Sequence, residues 1–141
     1  MTKEQKWQYL IDLDDQLLQG GAVLSEWATF LIKDADIAFT GGAHLACIIA
    51  GLAGVETHLR GGSGGSKLRF VELINDSDLE DDLKQELHTL RKYRNNWVHV
   101  ADPWDDTSLL ESPEKHEMEL QEMARRCEVA LRRTIYANPY V

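Results

Sequence analysis

Apolar residues recur along most of this chain at intervals of three and four, the spacing that gathers them on one face of a helix. The first such run predicts a helix over residues 3–18, with Trp7, Leu10, Ile11, Leu17 and Leu18 on one stripe and Gly20-Gly21 as its stop. A second is expected over 22–39, burying Val23, Leu24, Trp27, Phe30 and Leu31, before Thr40-Gly41-Gly42 breaks the chain. The third, 43–60, is apolar around most of its circumference (Leu45, Ala46, Ile48, Ile49, Leu52, Ala53, Val55) and so belongs at the centre of a bundle. Gly51 and Gly54 lower its propensity but permit a neighbouring helix to approach closely. Residues 61–65, rich in glycine, predict a flexible loop, followed by a short helix over 67–74.

Ser77 and Glu80 have the spacing of a capping box opening a long helix over 78–99, which Pro103 prevents from continuing. Ser112 and Pro113 open the last helix, which turns Leu120, Met123, Cys127, Ala130, Leu131, Thr134 and Ile135 inward and ends near Tyr136. Strand-like alternation is essentially absent. The pattern predicts an all-α fold: an antiparallel helical bundle of about five to six helices in one domain spanning 1–141.

Composition adds exclusions. A 43% hydrophobic and 28% charged chain of 141 residues is ordinary for a globular domain. No apolar run is long enough for a membrane span, and the polar start lacks the apolar segment of a secretory signal, so a cytoplasmic location is expected. Cys47 and Cys127 lie in helical patterns without metal or redox spacing; buried small hydrophobes are the expectation, with a disulfide as the alternative. His44, His58, His88 and His116 have no metal-ligand spacing, the glycine run lacks the Lys-Ser/Thr of a phosphate loop, and no nucleophilic triad stands out. No metal or cofactor is expected.

The net charge of −9 works against broad attraction to nucleic acid. Base nevertheless collects at Arg60, Lys67 and Arg69, at Arg91, Lys92 and Arg94, and at Arg125, Arg126, Arg132 and Arg133, so a local basic site on an acidic body is compatible with it.

Laid on a helix at about 100° per residue, residues 78–99 separate into two faces. Leu79, Leu83, Leu90 and Trp97 form the buried stripe, with Leu87 and Tyr93 at its margins. Lys84, His88, Arg91, Asn95 and His99 lie opposite and are expected to face solvent, a ligand or a partner subunit; Arg94 lies between the faces. A solvated outer face is the plain alternative. The chemistry on offer is a proton-exchanging histidine, a phosphate-binding arginine and an asparagine to orient either one. These groups suffice to cleave a phosphodiester that has a neighbouring 2′-hydroxyl. Each chain brings one such histidine, so a dimer would bring two. Asp102, Asp105 and Asp106 just beyond can orient His99 or repel RNA. Trp104 can stack on a base, cover the bundle end or line a dimer seam. His58, between Glu56 and Arg60, borders the site or is simply solvated.

Arg94-Asn95-x-x-x-His99, at the end of the long helix in "LHTLRKYRNNWVHV", resembles the R-x(4–6)-H signature of HEPN domains. The segment "HLACIIAGLAGVETHLR" is similar to that family's central apolar helix. Glu56-x-x-x-Arg60 partly matches its accessory E-x-x-x-K-R motif, with Gly61 in place of the final basic residue. "KLRFVELIND" fits the family's order of elements, and the resemblance covers roughly residues 22–136, leaving the helix over 3–18 as an addition. It implies a homodimer with the motifs facing across the interface and a metal-independent endoribonuclease, in a toxin–antitoxin, phage-defence or RNA-processing setting with an antitoxin or other protein partner. In that scheme His99 transfers protons, Arg94 stabilises the phosphate and Asn95 positions the site. Glu56, Arg60 and Arg91 support them. The alternative it carries is a catalytically inactive module that binds RNA, a nucleotide or a protein. A subgroup has tyrosine two positions after the histidine as the target of a modifying partner; here that position is Ala101, so that control is not expected.

Overall fold

The computed structural model describes residues 1–64, 67–104 and 107–138; Gly65, Asp105 and Asp106, named above, lie outside the described residues. Seven helices and no strand form among the described residues: α1 (Lys3–Leu17), α2 (Glu26–Thr40), α3 (His44–Gly62), α4 (Phe70–Asp76), α5 (Asp81–Val98), α6 (Thr107–Glu111) and α7 (Pro113–Ile135). The fold is an all-α bundle, as the periodicity predicts. The five-residue α6 was not foreseen, being too short to show a period.

Several boundaries move for identifiable reasons. α2 starts at Glu26 because the Ser25 hydroxyl accepts from the Ala28 N–H. It ends in a Schellman turn: the Ala43 N–H reaches the Ala38 carbonyl at 2.8 Å, the Gly42 N–H that of Phe39 at 3.3 Å, and Gly42 takes φ +84°, which suits glycine. Ser77 does not cap α5. Its hydroxyl donates to the Ile74 carbonyl at 2.7 Å and so closes α4, and α5 begins four residues later at Asp81. α3 continues through Gly62, two residues past the expected end.

The two glycines of α3 set the packing. A Cβ on Gly51 would stand 2.8 Å from the Cys127 sulfur, and one on Gly54 would stand 3.4 Å from Leu131 Cδ1 and 3.7 Å from Ile32 Cγ1. Residues 51 and 54 thus meet 127 and 131 in rising order, so α3 and α7 run in the same direction. Against α2 the order reverses, Gly51 meeting Ala35 and Gly54 meeting Leu31 and Ile32, so α2 is antiparallel. α5 is antiparallel to α7, with Glu86 paired to Arg126 and Tyr93 to Glu119. α2 and α5 flank the central α3–α7 pair and make no contact with each other among the described residues. Both cysteines are free and buried, and burial holds both thiols well above their ordinary range.

Two expected stripes are corrected. In α2 the buried residues are Ala28, Ala35, Phe39 and Thr40, whereas Val23, Trp27 and Phe30 are exposed and Leu31 is half-buried. In α1, Leu10 and Leu13 are buried with Lys6, while Trp7 and Ile11 point outward. Both helices carry apolar residues on more than one face, and in α2 Ala28 and Ala35 took interior positions where α3 approaches closely.

α1 is fastened by charge. The Arg132 guanidinium, 3% exposed, donates to Asp14 at 2.9 Å, to both Asp36 oxygens at 2.9 and 3.2 Å, and to Glu128 at 3.0 Å. Tyr136 adds a hydrogen bond to Asp14 at 2.8 Å. One cation thereby ties α1, α2 and α7 together; truncating it would strand buried carboxylates at a cost of about 3–5 kcal/mol. Burial, with Asp36 beside it, holds the Glu128 carboxyl well above its ordinary value near 4.5.

Two predictions follow from this packing. Extra volume at Gly51 costs about 1–3 kcal/mol, against about 1 kcal/mol of helix propensity gained. Gly51→Ala is therefore expected to lower the thermal midpoint and Gly54→Ala to raise it, while adding Cys127→Ala abolishes the Gly51→Ala loss. A loss that persists in the double variant contradicts the contact. For Glu128, the folded chain keeps a proton that the unfolded chain releases above about pH 4.5, so its contribution declines from there up to the folded titration. Glu128→Gln should remove that decline, its thermal midpoint relative to the parent rising as the pH is raised above about 5. A difference that stays flat with pH sinks the raised carboxyl.

Candidate active site at the end of α5

α5 buries Leu83, Leu87 and Leu90 and half-buries Tyr93 and Trp97 against the core, which fixes the rotation of its last two turns. That rotation leaves Arg94 and Asn95 half-buried at the edge of the bundle. Asn95 Oδ1 accepts from Arg94 Nη2 at 2.9 Å and from Nε at 3.3 Å, and the guanidinium carbon stands 5.7 Å from the Phe70 ring centroid. The cation is thus held by α5 on one side and shelved on α4 on the other. Burial lowers its pKa from the ordinary value of 12.5, while the charge of Glu56 on α3 opposes that shift. An arginine so placed stays charged near neutrality.

Glu56 is engaged by Arg60 Nη2 at 2.5 Å, and Arg60 Nη1 donates to the Leu68 carbonyl at 2.7 Å. These two residues therefore brace the link between α3 and α4 beside Arg94. Their charges offset each other, so the Arg94 cation supplies the surplus positive charge here.

His99 caps α5. Its backbone N–H still reaches the Asn95 carbonyl at 2.9 Å, while φ −128° and ψ 63° turn the chain out of the helix. Its side chain is exposed and makes no hydrogen bond or ion pair among the described residues. The adjacent Asp102 does not orient it: Asp102 Oδ1 accepts from the Trp104 N–H at 3.1 Å, and Asp105 and Asp106 lie outside the described residues. Trp104 is 89% exposed and so does not cover the bundle end within this chain.

The outer face of α5 is not open along its whole length. α4 lies against it: Lys84 donates to the Asn75 carbonyl at 3.1 Å, and His88 Nε2 sits 2.8 Å from the Asn75 side-chain oxygen. Arg91 is half-buried, with Nη2 3.3 Å from His88 Nδ1 and a buried Nε that lacks a hydrogen-bond partner. Arg91 thus serves the α4–α5 seam, and past it only Asn95 and His99 of that expected face remain for a ligand. His58 is half-buried, and burial lowers its pKa from 6.5.

The third basic cluster is spent on the body of the fold. Arg125 pairs with Glu122, Arg126 with Glu86, Arg133 with Asp82, and Arg132 lies in the buried network. Among the described residues no three His, Cys, Asp or Glu side chains converge as a metal-binding set. Among the described residues no helix is long and apolar enough to cross a membrane.

Sequence reasoning missed a buried pair near this end. Lys6 Nζ lies 3.0 Å from His44 Nε2, and His44 Nδ1 stands 3.6 Å from Glu117. Burial and then Lys6 lower the pKa of His44. His44, Trp97, His116 and Glu117 share the wall of a pocket of about 360 Å³. The signal was present, since Lys6 falls in register with Leu10, Leu13 and Leu17.

Compared with protein-family models, curated proteins and solved structures, the chain finds no match in any of the three.

The Arg91–His88–Asn75 chain fixes a tautomer. Arg91 can only donate, so His88 Nδ1 accepts and Nε2 carries the proton to Asn75. Burial, then Arg91 and Lys92, hold the His88 pKa below 6.5. Nitrogen-15 NMR at about pH 7 should show the neutral Nε2–H form, whereas an imidazolium there would contradict the arrangement.

Proposed function

We propose that the end of α5 is the reaction centre of a metal-independent endoribonuclease of the HEPN type. The observation that carries this reading is a half-buried Arg94 guanidinium, fixed by Asn95 and Phe70, five residues before an exposed His99. Fixed donors aimed at a phosphate stabilise charge with little reorganisation, and an exposed imidazole is free to move a proton.

In the proposed reaction His99 takes the proton of a ribose 2′-hydroxyl as that oxygen attacks the adjacent phosphorus. Arg94 donates to the non-bridging oxygens as negative charge grows on them. The bond to the 5′-oxygen breaks, that oxygen is protonated, and the products are a 2′,3′-cyclic phosphate and a free 5′-hydroxyl. With one histidine in each chain's site, a homodimer is the economical arrangement, the second copy's His99 donating the proton to the leaving group. Glu56 and Arg60 act indirectly, by holding α3 and α4 around Arg94. A cytoplasmic role in a toxin–antitoxin, phage-defence or RNA-processing system, checked by an antitoxin or other protein, is the setting this chemistry fits.

The competing reading is a non-catalytic module that binds RNA, a nucleotide or a protein through the same face. The net charge of −9 and the Arg94–Asn95 bonds within one chain favour it.

RNA cleavage in EDTA by the parent and by His99→Ala separates the two. The ribonuclease reading expects cutting by the parent, cyclic phosphate ends, and a rate lowered about 100-fold or more in the variant, the scale of a lost general base. Equal cutting by both, or by neither across a broad RNA panel, goes against it.

A further inference from the structure

α2 carries two apolar faces, and only one is used. The inner face, Ala28, Ile32, Ala35 and Phe39, packs on α3. On the outer face Trp27 is 80% exposed, Phe30 64% and Ile37 52%, with Val23 at 74% just before the helix. Val23, Trp27, Phe30 and Ile37 lie on one stripe at helical spacing, which Asp34 interrupts between Phe30 and Ile37. Single exposed hydrophobics are ordinary, but neighbouring ones led by tryptophan and phenylalanine on one helix face mark a contact surface. The stripe encloses a groove of about 480 Å³ lined by Glu26, Trp27, Phe30, Leu31 and Asp34.

We propose that this face docks a basic amphipathic helix of a partner protein. The argument for that occupant is charge. Both ionisable residues lining the groove are acidic, and the chain as a whole carries −9. The surface already draws a cation of its own: Lys33 Nζ lies 4.9 Å from the Phe30 ring centroid and 3.5 Å from Asp34. A second copy of this chain fits worse. A two-fold antiparallel pairing centred on Phe30 sets Glu26 against the other copy's Asp34 at both ends, and a parallel pairing sets each acid against itself. A helix with apolar residues at i, i+3, i+4 and i+7 and lysine or arginine beside them fills the groove and answers Glu26 and Asp34 together. This surface is separate from the end of α5, since α2 and α5 do not touch among the described residues. The inference therefore stands independently of the ribonuclease reading.

The test uses the whole chain and two labelled synthetic helices of about 18 residues, alike in apolar face but flanked by lysine in one and glutamate in the other. Fluorescence anisotropy should detect binding of the lysine peptide only. Trp27→Ala should weaken it about tenfold or more, the usual effect of deleting an aromatic anchor. Glu26→Lys with Asp34→Lys should weaken it as well and admit the glutamate peptide. These side chains are exposed, so an unchanged circular dichroism spectrum is expected for each variant. Equal binding of the two peptides, no binding of either, or affinity indifferent to these substitutions overturns the proposal. So does a homodimer that Trp27→Lys converts to monomer, which would give the face to a second copy. Binding to vesicles of phosphatidylserine and phosphatidylcholine in place of the lysine peptide would give it to a lipid surface and overturn the proposal too.

Discussion

The Arg132 guanidinium is the fixed point from which the rest of the bundle is hung. Buried to within 3% of full occlusion, it meets carboxylates from α1, α2 and its own helix. A buried cation of this kind is costly to remove from water and is retained only where its partners are geometrically right. Burial and the neighbouring Asp36 push the Glu128 carboxyl upward, which eases the crowding of three carboxylates around the single cation. Since Asp36 sits on the same helix as Ala35, which meets Gly51, the charge network and the close α2–α3 contact hold the same register.

That centre divides the molecule into two working sides. α3 and α7 run together through the middle, α5 lies on one side and α2 on the other. On the α5 side the interior stripe stops at Trp97, and the helix ends by offering Arg94, Asn95 and His99 at the rim. On the α2 side Ala28 and Ala35 have gone inward with Phe39, while Trp27 and Phe30 have been left outside. Close helix packing at glycine and alanine thus has a second consequence, a surface of unusually large apolar side chains on the far face.

What was legible in the sequence follows the strength of each stripe. α5 and α7 were readable because each carries one apolar face, and their expected inward residues, from Leu79 to Ile135, are buried or half-buried. α2 was misread because Trp27 and Phe30 outweigh Ala28 and Ala35 in any hydrophobic pattern, although the alanines are the residues buried. Ser77 was assigned to the wrong helix because its hydroxyl can serve either the end of α4 or the start of α5. The arginines of α7 read as a free basic cluster because sequence does not reveal that Glu86, Asp82, Asp14 and Asp36 come to meet them. At the site, the neighbourhood of Arg94 and Asn95 on one turn was legible from spacing. The withdrawal of Arg91 and His88 into the α4 seam was not, since it depends on where a seven-residue helix comes to rest.

The functional centre proposed at the end of α5 is tested most directly by NMR titration of the parent chain with a short RNA blocked at every 2′-oxygen by methylation, which can bind but not be cut. The ring signals of His99, the Nε–H of Arg94 and the side-chain amide of Asn95 are expected to shift together and saturate in step, with Arg94→Ala abolishing the response. Binding that leaves these three signals in place, or that moves only residues on another face, would contradict a centre at this end of the helix.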